Sequence, residues 1–465
     1  MRSPIFFAIA TAIGLAVFLV ARWIGNDYLF FAGYTVLQFI VLATAWNILG
    51  GYCGYVNFGS AAFFAVGAYS TVALHKLGTA VDRYAAEAIA PALHAIMPLS
   101  IPILTIIAGI VAGLIGLGTG YLTLRLRGAF FAIATLALAV VLQTLIVNWD
   151  YVGGSRGAYI IRPQTVPIIG SYIQYLFLLM IMLAVVALTA ARVIERSRLG
   201  YGFATIRDDE LAAEACGVPT LKLKLIATTI SGGLMGMAGA SFPYYIGYLE
   251  PGSAFGLAYA VNSIAMPMIG GTTMWAGPLI GALLLGIIQQ IATVTISSAV
   301  NLLIVGLLLI GFVIMATNGI IGLVKDFLRA VAPARVDLRA VKVLTIAGYC
   351  FLIGLGGVVF GLSAAMAAKN SALTMLGSFT IVLALVYLAA SYGLLKVDSW
   401  SPYLTTVVLA ASIPLSPLFI WLDPTRFNVT ALSASIVIDL AMIWLLRRSD
   451  VNALYKPSLE RRAMS

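Results

Sequence analysis

Fourteen apolar runs, most of them about 18–25 residues long, divide this 465-residue chain and confine most of its charge to the stretches between them. A run of that length in helical form spans the hydrocarbon of a bilayer, where every backbone N–H and C=O must be satisfied internally. The runs lie at 5–21, 29–49, 58–77, 98–123, 129–148, 171–192, 222–242, 255–271, 277–298 and 300–324, and then at 343–367, 371–394, 402–421 and 428–446. Composition agrees: 62% of residues are hydrophobic and 9% charged, more apolar surface than an aqueous core can bury. The fold class expected is an all-α, polytopic membrane protein. The first run is read as an uncleaved span, because Arg22-Trp23-Ile24 follows it with no small-residue cleavage pattern. The second, third and eighth runs are rich in Gly or Pro and are candidates for broken or re-entrant elements.

The net charge of +10 falls in short loops, with no basic stripe interleaved with aromatics, so topology and lipid contact explain it better than nucleic acid does. With a cytoplasmic N-terminus and alternating spans, 20 of the 27 Lys and Arg lie inside and 7 outside. That bias selects this orientation over its inverse and puts both termini in the cytoplasm. Residues 79–97 and 149–170 are then exposed on the far side.

A charged, Pro-containing stretch near 325–342, KDFLRAVAPARVDLRAVK, separates ten runs from four. It gives a main domain at 1–325, a cytoplasmic linker at 326–342, a four-helix membrane extension at 343–446 and a basic cytoplasmic tail at 447–465. Ala62-Phe63-Phe64-Ala65-Val66 resembles Ala129-Phe130-Phe131-Ala132-Ile133, each at the cytoplasmic start of a run, but five apolar residues are too few to establish a repeat.

Few residues offer chemistry. None of the eight lysines follows a Gly, so there is no phosphate-cradling GxxxxGK loop; HExxH and G-x-S-x-G are also absent. Cys53, Cys216, Cys350, His75 and His94 have no metal-ligand spacing and read as packing residues, so neither metal nor cofactor is expected. Asp439 stands within an apolar run; it reads either as an ion site or as a carboxyl hydrogen-bonded to a neighbouring helix. The glycines of GGYCGYVNFGSAAFFAVGAYS and GGTTMWAGPLIGA permit close helix approach or unwound backbone, which suits either packing or the lining of a pathway.

The most unusual polar stretch is 192–224, longer than a simple connection needs. Gly200 and Gly202 interrupt it early and Gly217-Val218-Pro219 ends it. Between them Asp208 to Ala215 reads as a short helix with acids at its N-terminal end, favoured by the helix dipole, and a small Ala face for docking a cytoplasmic partner.

Five segments then carry a resemblance. GYCGYVNFGSAAFFAVGAY, LRLRGAFFAIATLALAVVLQ, NWDYVGGSRGA, RSRLGYGFATIRDDELAAEACGV and GGTTMWAGPLIGA, closed by NGIIGL at 318–323, occur in the order found in branched-chain amino acid permease subunits of ABC importers. The resemblance covers about residues 1–325. It implies import of amino acids or related small amides, together with two ATPase subunits, a second permease, a periplasmic binding protein and an inner-membrane setting. It also implies an ATPase-coupling element carrying Arg198, Gly200, Arg207, Asp208, Glu210, Ala213, Glu214 and Gly217. The candidate substrate path is Asn57, Ser60, Phe63, Phe64, Tyr69, Thr135, Gly270, Gly271 and Thr273. The chain departs from the family at Asn57 and Ser60, where Ser and His are common, and at Thr273, where Gly is usual. The four C-terminal runs have no counterpart in it. An ion-coupled secondary carrier with Asp439 as its ion site is the alternative, and a membrane enzyme or scaffold is a third.

Overall fold

A computed structural model describes residues 3–84, 99–160, 165–166, 170–295, 306, 319–331, 338–367, 371–422, 429–448, 451 and 453–455. Most of the tenth run, the greater part of the 79–97 loop and most of the C-terminal tail lie outside the described residues. The chain forms two compact units. The first is Met1–Ile287 with Gly311–Gly319, and the second is Ile288–Ile310 with Ile320–Ser465.

The first unit contains α1 (Ser3–Ile24), α2 (Asp27–Gly50), α3 (Ser60–Tyr84), α4 (Ile101–Thr123), α5 (Ala129–Val147) and α6 (Tyr172–Glu195). There follow α7 (Arg198–Asp208), α8 (Glu210–Ala215), α9 (Thr220–Ala240), α10 (Phe242–Ile246), α11 (Pro251–Ala254), α12 (Leu257–Gly270) and α13 (Ala276–Thr295), whose last turns enter the second unit. Among the described residues of both units, ten helices or joined helix pairs are long and apolar enough to cross a membrane. Most of the described hydropathy runs therefore lie within helices.

Helix α2 is apolar all round and is buried at every position from Gln38 to Leu49, which makes it a central helix. Helix α9 packs on α2, α3 and α4. Its glycines set the spacing: a Cβ at Gly239 would stand 1.9 Å from the Phe64 carbonyl oxygen, and one at Gly67 2.0 Å from that of Gly236. Small residues thus replace hydrophobic collapse as the means of joining helices in lipid. By contrast α1, α4 and α5 present Leu19, Trp23, Ile110, Leu114, Phe130, Ile133 and Leu145 outward, each more than half exposed, as an apolar surface against lipid requires.

The expected breaks fall elsewhere than in the second and third runs. Both are unbroken helices, and the unwound backbone is the turn 51–59 between them. Gly54 takes φ +80 there, a conformation that disfavours other side chains, whereas Gly67 lies within α3 as a packing residue. The eighth run is not broken either: α12 is continuous from Leu257 to Gly270 with Pro267 inside it, and the unwound backbone precedes it. After α9 the chain turns at Ser241, caps α10 with Gly247 at φ +79, and reaches α12 through α11. At the end of the unit opposite α7 and α8, strand Ala158–Tyr159 pairs antiparallel with Tyr248–Leu249, and the Tyr248 hydroxyl donates to the Arg156 carbonyl at 2.7 Å.

The second unit holds α14 (Gly319–Val331), α15 (Leu338–Ala367), α16 (Ser371–Lys396), α17 (Ser401–Leu422) and α18 (Val429–Arg447). Part of the expected linker is therefore helical: α14 runs to Val331 because its charges lie on one side while Phe327 is buried among Val343, Ile346, Tyr387, Leu394 and Leu446. Ser391 ties α16 to α15 by donating to the Ala347 carbonyl at 2.8 Å.

Candidate coupling site and substrate path

The 198–217 element is two helices rather than one. Ser197 caps α7 by accepting from the Leu199 and Gly200 amides at 3.2 and 3.4 Å. Gly200 and Gly202, expected to interrupt the stretch, lie inside α7. They are there for proximity: a Cβ at Gly200 would come within 2.3 Å of the Ile194 carbonyl oxygen, and one at Gly202 within 2.8 Å of Leu223. Asp208 closes α7. Asp209 leaves the helical region at φ −159, ψ 109 and caps α8 by accepting from the Ala212 amide at 3.0 Å. Aspartate favours this because its short carboxylate satisfies a helix-start N–H that has no backbone partner. At the far end the Val218 and Gly217 amides donate to the Ala213 and Glu214 carbonyls at 3.0 and 2.9 Å, with Gly217 at φ +81. This is the left-handed stop that the Gly-Val-Pro sequence led us to expect.

Phe203, Ile206 and Ala213 form the inward face, while Tyr201 and Leu211 are 71% and 64% exposed. The sequence suggested a small Ala face for docking; Ala213 of that face is buried, and both acids of α8 are engaged within the unit. Glu210 accepts from the Lys224 ammonium at 2.7 Å and from the Tyr55 hydroxyl, and Lys224 also donates to the Leu124 carbonyl at 3.0 Å and to the Tyr55 oxygen at 3.1 Å. The same ammonium lies 4.7 Å from the centre of the Tyr55 ring. Only 3% of the Lys224 side chain and 13% of that of Glu210 are exposed. Glu214 receives Arg127 at 3.0 Å and the Thr220 hydroxyl at 2.7 Å. The Thr220 hydrogen bond, followed by the charge of Arg127, holds the Glu214 carboxyl below its ordinary range. Burial first, then the Glu210 carboxylate, raises the Tyr55 phenol, and burial pushes the Cys53 thiol up to about 12. Arg198 is exposed, and Arg207 pairs with Asp208 at 3.2 Å while its stem packs on Gly54.

Lys224, Tyr55, Arg127 and Thr220 escaped the sequence reading. The one signal for Lys224 was a lysine placed at the start of an apolar run, which reads equally as a topology charge.

The path candidates divide into three groups. In the turn 51–59, the Trp46 indole donates to the Asn57 carbonyl at 2.9 Å, the Asn57 side chain accepts from the Gly59 amide at 2.7 Å, and Thr135 accepts from the Phe58 amide at 3.1 Å. From there α3 and α12 run antiparallel. Ser60 meets Ser263 at 2.8 Å between hydroxyls, Phe64 stacks on Tyr259 with centroids 4.5 Å apart, and Tyr69 lies 6.5 Å from Phe255. The Tyr69 hydroxyl is buried with no partner among the described residues, the kind of group that costs free energy unless something else satisfies it. The structure thus brings Asn57, Ser60, Phe64, Tyr69 and Thr135 together along one line. Phe63 faces the α4–α9 side instead, against Gly232.

Gly270, Gly271 and Thr273 form the third group, in the α12–α13 turn at the same end of the unit as α7. There the Trp275 amide donates to Glu195 at 2.7 Å and the Thr272 carbonyl approaches Gly51. A cavity of about 400 Å³ opens where the turn 51–59, the start of α5 and the α7–α8 hinge converge, lined by Cys53, Tyr55, Gly128, Ala132, Arg207 and Glu210.

In the second unit Asp439 accepts from the Tyr349 and Ser412 hydroxyls, each at 2.7 Å. This is the hydrogen-bonded carboxyl that was one of its two sequence readings.

Comparison with known proteins places this geometry. A family model described as "Branched-chain amino acid transport system / permease component" matches residues 28–313, and one described as a predicted membrane protein matches residues 357–449. The chain is 26% identical over 279 residues to the high-affinity branched-chain amino acid transport system permease protein LivM of Escherichia coli (strain K12), covering 54% of this chain and 61% of that protein. It is 23% identical over 250 residues to the probable branched-chain amino acid transport permease protein LivH of Methanocaldococcus jannaschii, covering 52% and 73%. No solved structure matches. The alternative of an ion-coupled carrier centred on Asp439 is overturned by these matches. Since the first match takes in more than half of its 465 residues, the chain belongs to the family of branched-chain amino acid transport system permease components.

Proposed function

We propose that the chain is the transmembrane permease subunit of an ATP-driven importer and forms part of the translocation path for branched-chain amino acids or related small amino acids and amides. The observation that carries this reading is the α7–α8 element. It is fastened inward by Glu210 and Glu214 and turns Tyr201 and Leu211 outward, an arrangement suited to seating in a separate ATPase. The absence of a phosphate loop from the sequence agrees with energy supplied by a partner. The printed names of the curated relatives, which this chain matches over 61% of the length of the Escherichia coli protein, support the substrate class.

In this reading two ATPase subunits, a second permease and a periplasmic binding protein complete the importer. The basic end bearing Arg125, Arg127, Arg196, Arg198, Arg207 and Lys222 is cytoplasmic, and both termini lie in the cytoplasm of an inner-membrane protein. Residues 1–325 carry the path, 326–342 connect it, and 343–446 with the basic tail are an accessory extension.

Coexpression with the cognate ATPase, second permease and binding protein, followed by reconstitution into liposomes, tests the reading. We expect uptake of labelled leucine, isoleucine or valine that requires ATP, and cross-linking of Leu211→Cys to the ATPase. Uptake driven by an ion gradient without ATP would overturn it.

A further inference from the structure

We propose that Lys224 is a positioning residue that ties α8 to the turn 51–59, so that displacement of α8 repositions the path residues at the end of that turn. The inference rests on the permease reading above and names a route that the family match does not. An ammonium has three N–H donors, and Lys224 has three acceptors, each from a different segment. They are the Glu210 carboxylate of α8, the Tyr55 oxygen of the turn and the Leu124 carbonyl just beyond α4, at 2.7, 3.1 and 3.0 Å. Lys224 itself stands near the start of α9. Four segments therefore meet at one nitrogen, and Tyr55 closes the triangle by donating to Glu210.

Burial decides how firmly this node holds. With Lys224 3% exposed, its bonds cannot be exchanged readily for bonds to water. The other polar attachments of α8 run through exposed groups: Arg127, 48% exposed, pairs with Glu214, 41% exposed, and reaches Glu210 at 3.6 Å, and Thr220 donates to the same Glu214, so these contribute little. Movement of α8 must therefore either break the buried node or carry Tyr55 with it. Two residues beyond Tyr55 stands Asn57, fixed to Trp46 and Gly59. Phe58 binds Thr135, and Ser60 binds Ser263 of α12. The turn is consequently a lever between the outward face of α7–α8 and the α3–α12 line. Coupling requires that two states of the partner hold α8 differently; the node supplies the means of reporting that difference to the path.

The test uses the complete transporter in liposomes with the three native cysteines replaced by alanine and Val56→Cys as reporter, a position on the turn that is 41% exposed. In this parent, ATP should change the rate at which Val56→Cys reacts with a thiol reagent. Lys224→Met alone leaves the largely buried Glu210 carboxylate with only the half-exposed Arg127 at 3.6 Å, so the deciding variant is Lys224→Met with Glu210→Gln, which removes both charges of the buried pair. We expect it to assemble and hydrolyse ATP, to lose the ATP-dependent labelling change, and to lower uptake per ATP by about 5–150-fold, the usual span of coupling between two sites. A structural role alone predicts the reverse, that removing both charges restores uptake; parental uptake and labelling response in the double variant overturn the proposal. If the double variant does not assemble, Tyr55→Phe decides, since it keeps the ring beneath Lys224 and deletes only the hydroxyl. An unchanged labelling response there also overturns the proposal. A parent with no ATP-dependent uptake overturns the permease reading instead, and is distinguishable because it fails before any residue of the node is altered.

Discussion

The closest approaches at glycine, those under 2 Å, meet backbone in the first unit, whereas the closest in the second meet side chains. At the α12–α13 turn, a Cβ on Gly277 would lie 1.6 Å from the Gly271 carbonyl oxygen, and one on Gly281 1.8 Å from that of Met266. Along α15 and α16, a Cβ on Gly354 would stand 2.8 Å from Leu388 Cγ, and one on Gly357 2.9 Å from Ala384 Cβ. The buried charges differ in the same sense. Lys224 binds an opposite charge, a phenol and a carbonyl from three segments, whereas Asp439 binds two hydroxyls. The closest approaches of the first unit cannot be adjusted locally, whereas those of the second meet side chains. That difference suits the proposed roles, in which the first unit holds relative positions through a transport cycle and the second need only pack.

The largest effect should come from the closest approach. Gly277→Ala drives a methyl group into backbone that no rotamer change can clear, and should destabilise the protein by more than about 3 kcal/mol. Gly354→Ala, facing the flexible end of Leu388, should cost less. Thermal aggregation of the two detergent-solubilised variants checks the order, and equal losses would break the contrast between the units. Next, Lys224→Met should cost up to about 3–5 kcal/mol, since it removes the buried ion partner of Glu210 and leaves it only the half-exposed Arg127 at 3.6 Å; denaturation in detergent gives the value. Gly217→Val should cost about 1–3 kcal/mol from backbone strain alone, because the space around Gly217 is open and only its φ of +81 opposes a side chain. Gly217→Asn, which tolerates that φ, should retain most uptake.

Asp439→Asn keeps acceptor and donor capacity toward Tyr349 and Ser412, so stability should fall by less than about 1.5 kcal/mol, with uptake unchanged. A loss of uptake in an otherwise stable Asn variant would bring the second unit into the mechanism. The smallest effect belongs to Glu214→Ala, whose partners are solvent-exposed. Its carboxyl is depressed below 4.5 in the folded protein, so its anchoring of α8 is complete at neutral pH and is lost only as the pH falls through that depressed value. Melting profiles of wild type and Glu214→Ala should coincide in acid and separate slightly above it.

Hydropathy alone marked out the helices because the cost of placing each side chain in lipid adds along a run, with little need of its neighbours elsewhere. Local chemistry also fixed the stop at Gly217, where only a residue tolerant of positive φ lets the last carbonyls of α8 find donors. The partner of Lys224 was not legible in this way. Lys224 meets Tyr55 across 169 residues, and a lysine opening a span looks the same whether it faces lipid headgroups or a buried carboxylate. Nor could the acids of α8 be oriented, since a helix of six residues offers its faces equally until Arg127 and Lys224 are brought beside it. The alignment of Ser60, Phe64 and Tyr69 with Ser263, Tyr259 and Phe255 likewise depends on two distant helices meeting antiparallel. Which segments are apolar enough to span a membrane, and where the α7–α8 element ends, could be read along the chain because those energies are local. Which polar groups face each other could not, because each such choice depends on a contact whose two halves lie far apart in the chain.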